Sequence, residues 1–179
     1  MRTNAPCITG TLLLLAVCAT SQQLDSIWPG QPREWGSAVE GLCLSIRTDA
    51  VDYRPRTVIT LDVVLKNVDT IARRVAWLGP SAFYAIDVQA PVPEWIPLRP
   101  RAALTDYGRS QSEKTYFSVR ELHLRPQEES RVTFEISQLY HMEASGNYKV
   151  TVSCRIPGSH GSRPVLSSNQ IMIRILRPQ

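Results

Sequence analysis

From residue 41 the hydrophobic and polar positions alternate with a period of two. Leu42, Leu44 and Ile46 fall on one side, and Cys43, Ser45 and Arg47 fall on the other. Successive strand side chains point to opposite faces, so this spacing predicts a strand with one buried face. After a turn at residues 52–56 the alternation is strongest. Ile59, Leu61, Val63 and Leu65 point one way, and Thr60, Asp62, Val64 and Lys66 the other. That is the signature of a half-buried antiparallel strand, closed by the turn residues 67–70.

Shorter runs follow at 74–78, 83–89 and 94–98, interrupted by Gly79-Pro80, Pro91 and Pro93. Prolines so placed forbid a long helix and favour hairpin ends or edge strands. Residues 99–115 have no period and form the longest predicted loop; loops beyond about 12–15 residues are uncommon unless they have a role of their own. The alternation resumes at 119–124, passes a turn at 125–130 and continues through Val132, Phe134 and Ile136. A single helical turn is expected within 137–144. Tyr148, Val150, Val152 and Cys154 then share one face, and Ile171, Ile173 and Ile175 supply a last strand. Eight or nine short strands at intervals of about 8–12 residues, with no convincing helical period, predict an all-β antiparallel sandwich of about eight strands.

The first 21 residues stand apart. One cation at Arg2, an apolar run over 8–19 and small residues at Ala19 and Ser21 read as a secretory signal peptide cleaved before Gln22. The run is shorter than the about 20 apolar residues a membrane-spanning helix needs. Two alternatives stay open: an uncleaved anchor, and a lipoprotein acylated at Cys18, where Val17 departs from the small residue of a lipobox. Residues 22–39, with two prolines, two glycines, Trp28 and Trp35, form an arm or linker ahead of a domain over 40–179. An exposed indole forgoes a large burial gain, so at least one of these tryptophans is expected to lie against the domain, unless the arm binds a partner.

Of 20 cations 17 are Arg, the exceptions being Lys66, Lys114 and Lys149, and the net charge is +4. With Arg2 lost to the signal peptide it is +3. So small a balance over a surface of mixed sign is no nucleic-acid footprint. The cations Arg99, Arg101, Arg109, Lys114, Arg120, Arg125 and Arg131 are interspersed with acids and fit a solvated face.

The segment SGNYKVTV at 145–152 resembles the tyrosine corner of immunoglobulin-like sandwiches, in which a Tyr, here Tyr148, bonds its hydroxyl to upstream backbone. Trp77, on the candidate third strand, would be the core indole. With VITLDVVLKNV at 58–68 and LRPQEES at 124–130, these features resemble secreted bacterial immunoglobulin-like modules over about residues 40–176. The run ISQLYHMEASGNY at 136–148 is also similar to the β-sandwich pro-region of deuterolysin-type zinc peptidases. Their catalytic domain is missing and no His-Glu-x-x-His occurs, so the resemblance implies a module that packs against another protein, not proteolysis. Chagasin-like protease inhibitors are a further comparison: Arg163-Pro164 stands between the last two strands where those carry Arg-Pro-aromatic, but Val165 replaces the aromatic and their Asn-Pro-Thr-Thr-Gly loop is absent.

Candidate chemistry changes this picture little. Cys7 and Cys18 leave with the signal peptide, and Cys43 and Cys154 remain to pair in an oxidising compartment. A Cys43–Cys154 bridge stays open alongside free thiols, but parity makes it need a bulge, a twist or a frayed strand end, because Cys154 shares the inward face with Tyr148 while Cys43 alternates away from Leu42 and Leu44. His123, His141 and His160 have no second metal ligand at a zinc or copper spacing, and neither a Gly-x-Ser-x-Gly elbow nor a phosphate loop occurs. The expectation is a non-catalytic binding or structural module without cofactor or metal. It would recognise a protein at the cell surface or in the periplasm through end loops: residues 99–115, with Arg99, Arg101, Tyr107 and Arg109, and residues 157–167, with His160, Arg163 and Pro164. A protease-associated or inhibitory domain, and an enzyme whose site is assembled from distant residues, are the alternatives.

Overall fold

The structure, a computed structural model, describes residues 33–77, 79–91, 120–156, 158 and 161–178. In chain order the elements are β1 (Leu42–Thr48), β2 (Asp52–Tyr53), β3 (Thr60–Asn67), β4 (Arg73–Trp77), α1 (Pro80–Phe83), β5 (Tyr84–Gln89), β6 (Arg120–Leu124), β7 (Glu129–Glu135), α2 (Ile136–Leu139), β8 (Gly146–Arg155), β9 (Val165–Ser167) and β10 (Ile171–Ile175). The chain is an all-β sandwich. One sheet has the order β1-β3-β7, the other β2-β10-β8-β5 with β9 also paired to β8, and β4 and β6 form a separate ribbon. Every pair is antiparallel except β2 with β10.

The period-two pattern sets the register. Leu44 faces Leu65, Ile46 faces Val63 and Leu61 faces Phe134 in the first sheet. Tyr84 faces Cys154, Ile86 faces Val152 and Ile173 faces Tyr148 in the second. A slip by one residue would turn each of these sets to the opposite face. Both inner faces merge in one hydrophobic core in which Leu44, Leu61, Val63, Leu65, Tyr84, Val150 and Ile173 have no exposed surface. Tyr148 donates its hydroxyl to the Ala144 carbonyl at 2.9 Å, pinning the start of β8 to the turn before it.

Polar side chains join the sheets where the ladder breaks. Between β9 and β10 the Ser168 N–H donates to the Val152 carbonyl at 2.8 Å. The Asn169 amide then imitates a strand: its Oδ1 accepts from the Ile46 N–H at 2.8 Å and its Nδ2 donates to the Ile46 carbonyl at 3.0 Å. This clip ties the edge of the second sheet to β1, leaving no buried backbone group of Ile46 without a partner at that point.

Three features depart from the sequence reading. Among the described residues there are ten strands, because Asp52-Tyr53, read as a turn, pairs with β10 and the last hairpin is split into β9 and β10. The helical turn expected within 137–144 lies at Ile136–Leu139, and Pro80–Phe83 adds a second one. Most consequentially, β1 and β3 are buried on both faces rather than one: Cys43, Ser45, Arg47 and Asp62 are as enclosed as their apolar neighbours.

The cover for the second face is the end of the arm. The Gly36 N–H donates to the Leu44 carbonyl at 2.8 Å, and the Ser45 hydroxyl donates to the Glu34 carbonyl. Gly36 must be glycine, since a Cβ there would collide with the Ser167 carbonyl oxygen. The Trp35 ring lies 5.5 Å from the Arg33 guanidinium and 5.6 Å from Lys66 Nζ, both within cation–π range. The Asp62 carboxylate, fully buried, meets three arginines: Arg47 Nε at 3.0 Å, Arg131 Nε at 3.1 Å and Arg33 Nη2 at 3.6 Å. Burial first, and then the like charge of Arg47, holds the Arg33 guanidinium below its usual range. Trp28, also expected to pack, lies outside the described residues, as do residues 94–98 and 99–115.

Leu61→Ala, which empties a fully buried position, is expected to destabilise by about 2–5 kcal/mol in urea unfolding, whereas the exposed Leu176→Ala changes it by less than about 0.5 kcal/mol. Asp62→Ala leaves three arginines converging without their carboxylate. It is expected to lower stability by about 3–5 kcal/mol in the same assay.

Candidate functional site

Among the described residues a broad concavity opens at the end of the second sheet, where β8 finishes and β5 begins. It has a volume of about 890 Å³. Ala82 and Phe83 of α1 and Tyr84 and Ala85 of β5 form one wall, Ser153, Cys154 and Arg155 of β8 the next, and the turn with Ser162, Arg163 and Val165 the lip. Gly79-Pro80 interrupts the chain after β4 and starts α1, which folds Phe83 over the sheet end; its ring meets Tyr84 edge-on at 4.9 Å, and Tyr84 meets Phe134 edge-on at 6.2 Å. Aromatic packing of this kind makes the floor rigid.

The lip is held by hydrogen bonds that extend the β8–β9 ladder. The Ile156 N–H donates to the Pro164 carbonyl at 3.1 Å and the Gly158 N–H to the Ser162 carbonyl at 2.9 Å. A side chain at Gly158 would run into Ser162 and Pro164, so the turn closes only around glycine. Arg163 is exposed and Pro164 half-buried. Pro164 therefore serves as framework and Arg163 as surface. His160, together with Arg99, Arg101, Tyr107 and Arg109, lies outside the described residues. Trp77 ends β4 opposite Arg120, and its side chain is likewise outside them.

Cys43 and Cys154 do not pair: both are buried free thiols. The reason is parity. Cys154 faces inward beside Tyr84, whereas Cys43 lies on the outer face of the first sheet in the row of Lys66 and Glu129. Burial pushes the Cys43 thiol up to about 11, against the opposing pull of Lys66, and the Cys154 thiol up to about 12. Burial likewise raises the Tyr84 hydroxyl above its usual range. Although Cys154 lines the cleft, its sulfur stays protonated at neutral pH and is a poor nucleophile there.

Among the described residues the cleft wall carries no carboxylate and no imidazole for proton transfer. His123 and His141 are exposed and stand beside acids, His123 Nε2 at 3.2 Å from Glu121 and His141 Nδ1 at 3.7 Å from Glu143. Among the described residues, no group of three or more His, Cys, Asp or Glu is placed to hold a metal ion, and no helix is long and apolar enough to cross a membrane. What the cleft offers among the described residues is two arginines, hydroxyls and small apolar surfaces.

Two contributors to this end of the sandwich escape the sequence pattern. Phe83 reads as the first residue of a strand, yet it belongs to the turn that builds the wall. Arg155 follows the inward row that ends at Cys154, and only the pairing of β8 with β9 sets it opposite Val165.

Fold and cleft together define a β-sandwich with a rigid, cation-bearing hollow on its rim. No family model matches the chain, and no curated protein does. Among solved structures, the C-terminal domain of wzt is similar with 10% identity over 83% of this chain and 79% of that one, at a TM-score of 0.47. Spo0M, a sporulation control protein from Bacillus subtilis, gives 11% identity and a TM-score of 0.46 over 78% of this chain. This chain spans about half of it, 51%. A beta-glucosidase from Listeria innocua gives 14% identity and 0.37 over 75% of this chain and 16% of that enzyme. Likenesses this distant carry no functional argument.

In the native protein at pH 8 neither thiol is expected to react with a disulfide reagent, and in 8 M urea both should, with reductant leaving the intact mass unchanged. The sign of the pH effect follows from the raised thiols. The folded state holds the Cys154 proton more tightly than the unfolded chain with its value of 9.0, so this stabilisation is complete below about 9 and is lost as pH rises towards about 12. Unfolding midpoints measured from pH 8 to 11 should fall accordingly.

Proposed function

We propose that this chain is a secreted, non-catalytic binding module that recognises a protein partner at the cell surface or in the periplasm through the loops at its sandwich end. The observation that carries the reading is the open cleft of about 890 Å³ at the end of β5 and β8. Recognition surfaces recur on loops held by rigid scaffolds, and concave sites with a few convergent polar groups are the usual places for ligands. Val165, 53% exposed on the lip, supplies the apolar contact and Arg155 and Arg163 the polar one. Export is supported by the leader pattern of residues 1–21, and a partner protein, rather than a nucleic acid, by the small net charge.

The test places a photoreactive p-benzoylphenylalanine at Ala85, inside the cleft, or at Met172, exposed on β10 away from it. On irradiation in the cells that make the protein, an adduct to another protein is expected from position 85 and none from position 172. No adduct at 85, or equal adducts at both, contradicts the reading. The exported chain should have the intact mass of residues 22–179. A cytoplasmic chain of full length would overturn the assignment of export.

A further inference from the structure

The lip of the cleft carries a specific arrangement of charge. Alternation along β8 puts Ser153 and Arg155 on the outer face, with Cys154 and Ile156 turned into the core. Arg155 faces Val165 across the β8–β9 pair. Because the ladder continues through the Ile156–Pro164 hydrogen bond, Arg163, two residues before Val165, returns to the same outer face. Two arginines thus bracket an exposed valine. Among the described residues no ion pair or hydrogen bond occupies either guanidinium, and no acid stands in the cleft wall. By contrast Arg174 is engaged by Asp52, with Nε at 2.7 Å from the carboxylate, and Arg47 by Asp62.

We infer that the cleft takes an acidic, extended segment of the partner protein, with carboxylates on Arg155 and Arg163 and an apolar side chain seated on Val165 between them. This rests on the protein-binding reading and adds the chemistry of the bound segment. Guanidinium forks match carboxylates two bonds at a time and lose less hydration than an ammonium would, so paired arginines favour such a segment over a neutral one. The exposed valine, in a cleft also lined by Ala82 and Phe83, distinguishes the site from a phosphate track, which needs a longer run of cations and no apolar centre.

The experiment uses the full-length chain with p-benzoylphenylalanine at Ala85, irradiated in cells, and compares it with the same chain carrying Arg155→Gln and Arg163→Gln together, Arg155→Lys and Arg163→Lys together, or the exposed Arg177→Gln. Thermal unfolding of each purified chain confirms that the fold is kept. The adduct yield is expected to drop about tenfold or more in the double Gln chain, to fall to an intermediate level in the double Lys chain, which keeps the charge but loses the bidentate fork, and to be unchanged by Arg177→Gln. Mass spectrometry of the adduct should place Asp or Glu beside the cross-linked position. An unchanged yield in the double Gln chain, a cross-linked peptide without acids, or an adduct to nucleic acid overturns the inference while an adduct to protein leaves the broader reading standing. No adduct from any chain overturns that reading and this one with it.

Discussion

A buried carboxylate governs how the first sheet is closed. Asp62 sits on the face of β3 that the alternation assigns to solvent, yet it has no exposed surface, because Arg47 from β1, Arg131 from β7 and Arg33 from the arm converge on it. A carboxylate in such a place is costly unless it is paired and hydrogen-bonded. The pairing in turn gives the arm a reason to lie down. With Arg33 on Asp62 and Trp35 over Lys66, the outer face of β1 and β3 becomes a second interior. Strands enclosed on both sides cannot slip without exposing one set of side chains or the other, so the register of the apolar core depends on this polar closure.

Much of the fold was legible because an antiparallel sheet writes a period of two into its strands. Leu42, Leu44 and Ile46, Leu61, Val63 and Leu65, and Tyr148, Val150 and Val152 read correctly as inward-facing rows. The failures have a common cause in partners far away in sequence. Asp52-Tyr53 is too short to show a period, and its strand identity comes from β10, more than a hundred residues on. The outer row Cys43, Ser45 and Arg47 looks solvent-facing until the arm is seen on top of it. The cleft was legible only in part: Arg163 and Pro164 could be named from their loop, whereas Arg155, Val165 and Phe83 acquire a common setting through pairing that local spacing does not encode.

The two ends of this logic meet at the rim. The arm, β1 and the Asn169 clip lock one edge of the sandwich, with Gly36 pressed against Ser167 at the end of β9. Beyond that point the β8–β9 hairpin projects with Arg155, Arg163 and Val165 outward, on a base that cannot shift easily. Preorganised display of this kind lowers the ordering cost of association. The Cys154 thiol, held protonated by burial, and the edge-on Phe83–Tyr84 pair pack the floor of the cleft.

Native-state hydrogen exchange, resolved residue by residue, tests this arrangement most directly. If β1 and β3 are enclosed on both faces, the amides of Leu61, Val63 and Leu65 will exchange only through global unfolding and be among the slowest in the chain, while those of Gly161 and Arg163 on the projecting turn exchange orders of magnitude faster. Exchange of the β3 amides as fast as those of the turn would contradict a doubly covered sheet and remove the rigid base on which the rim depends.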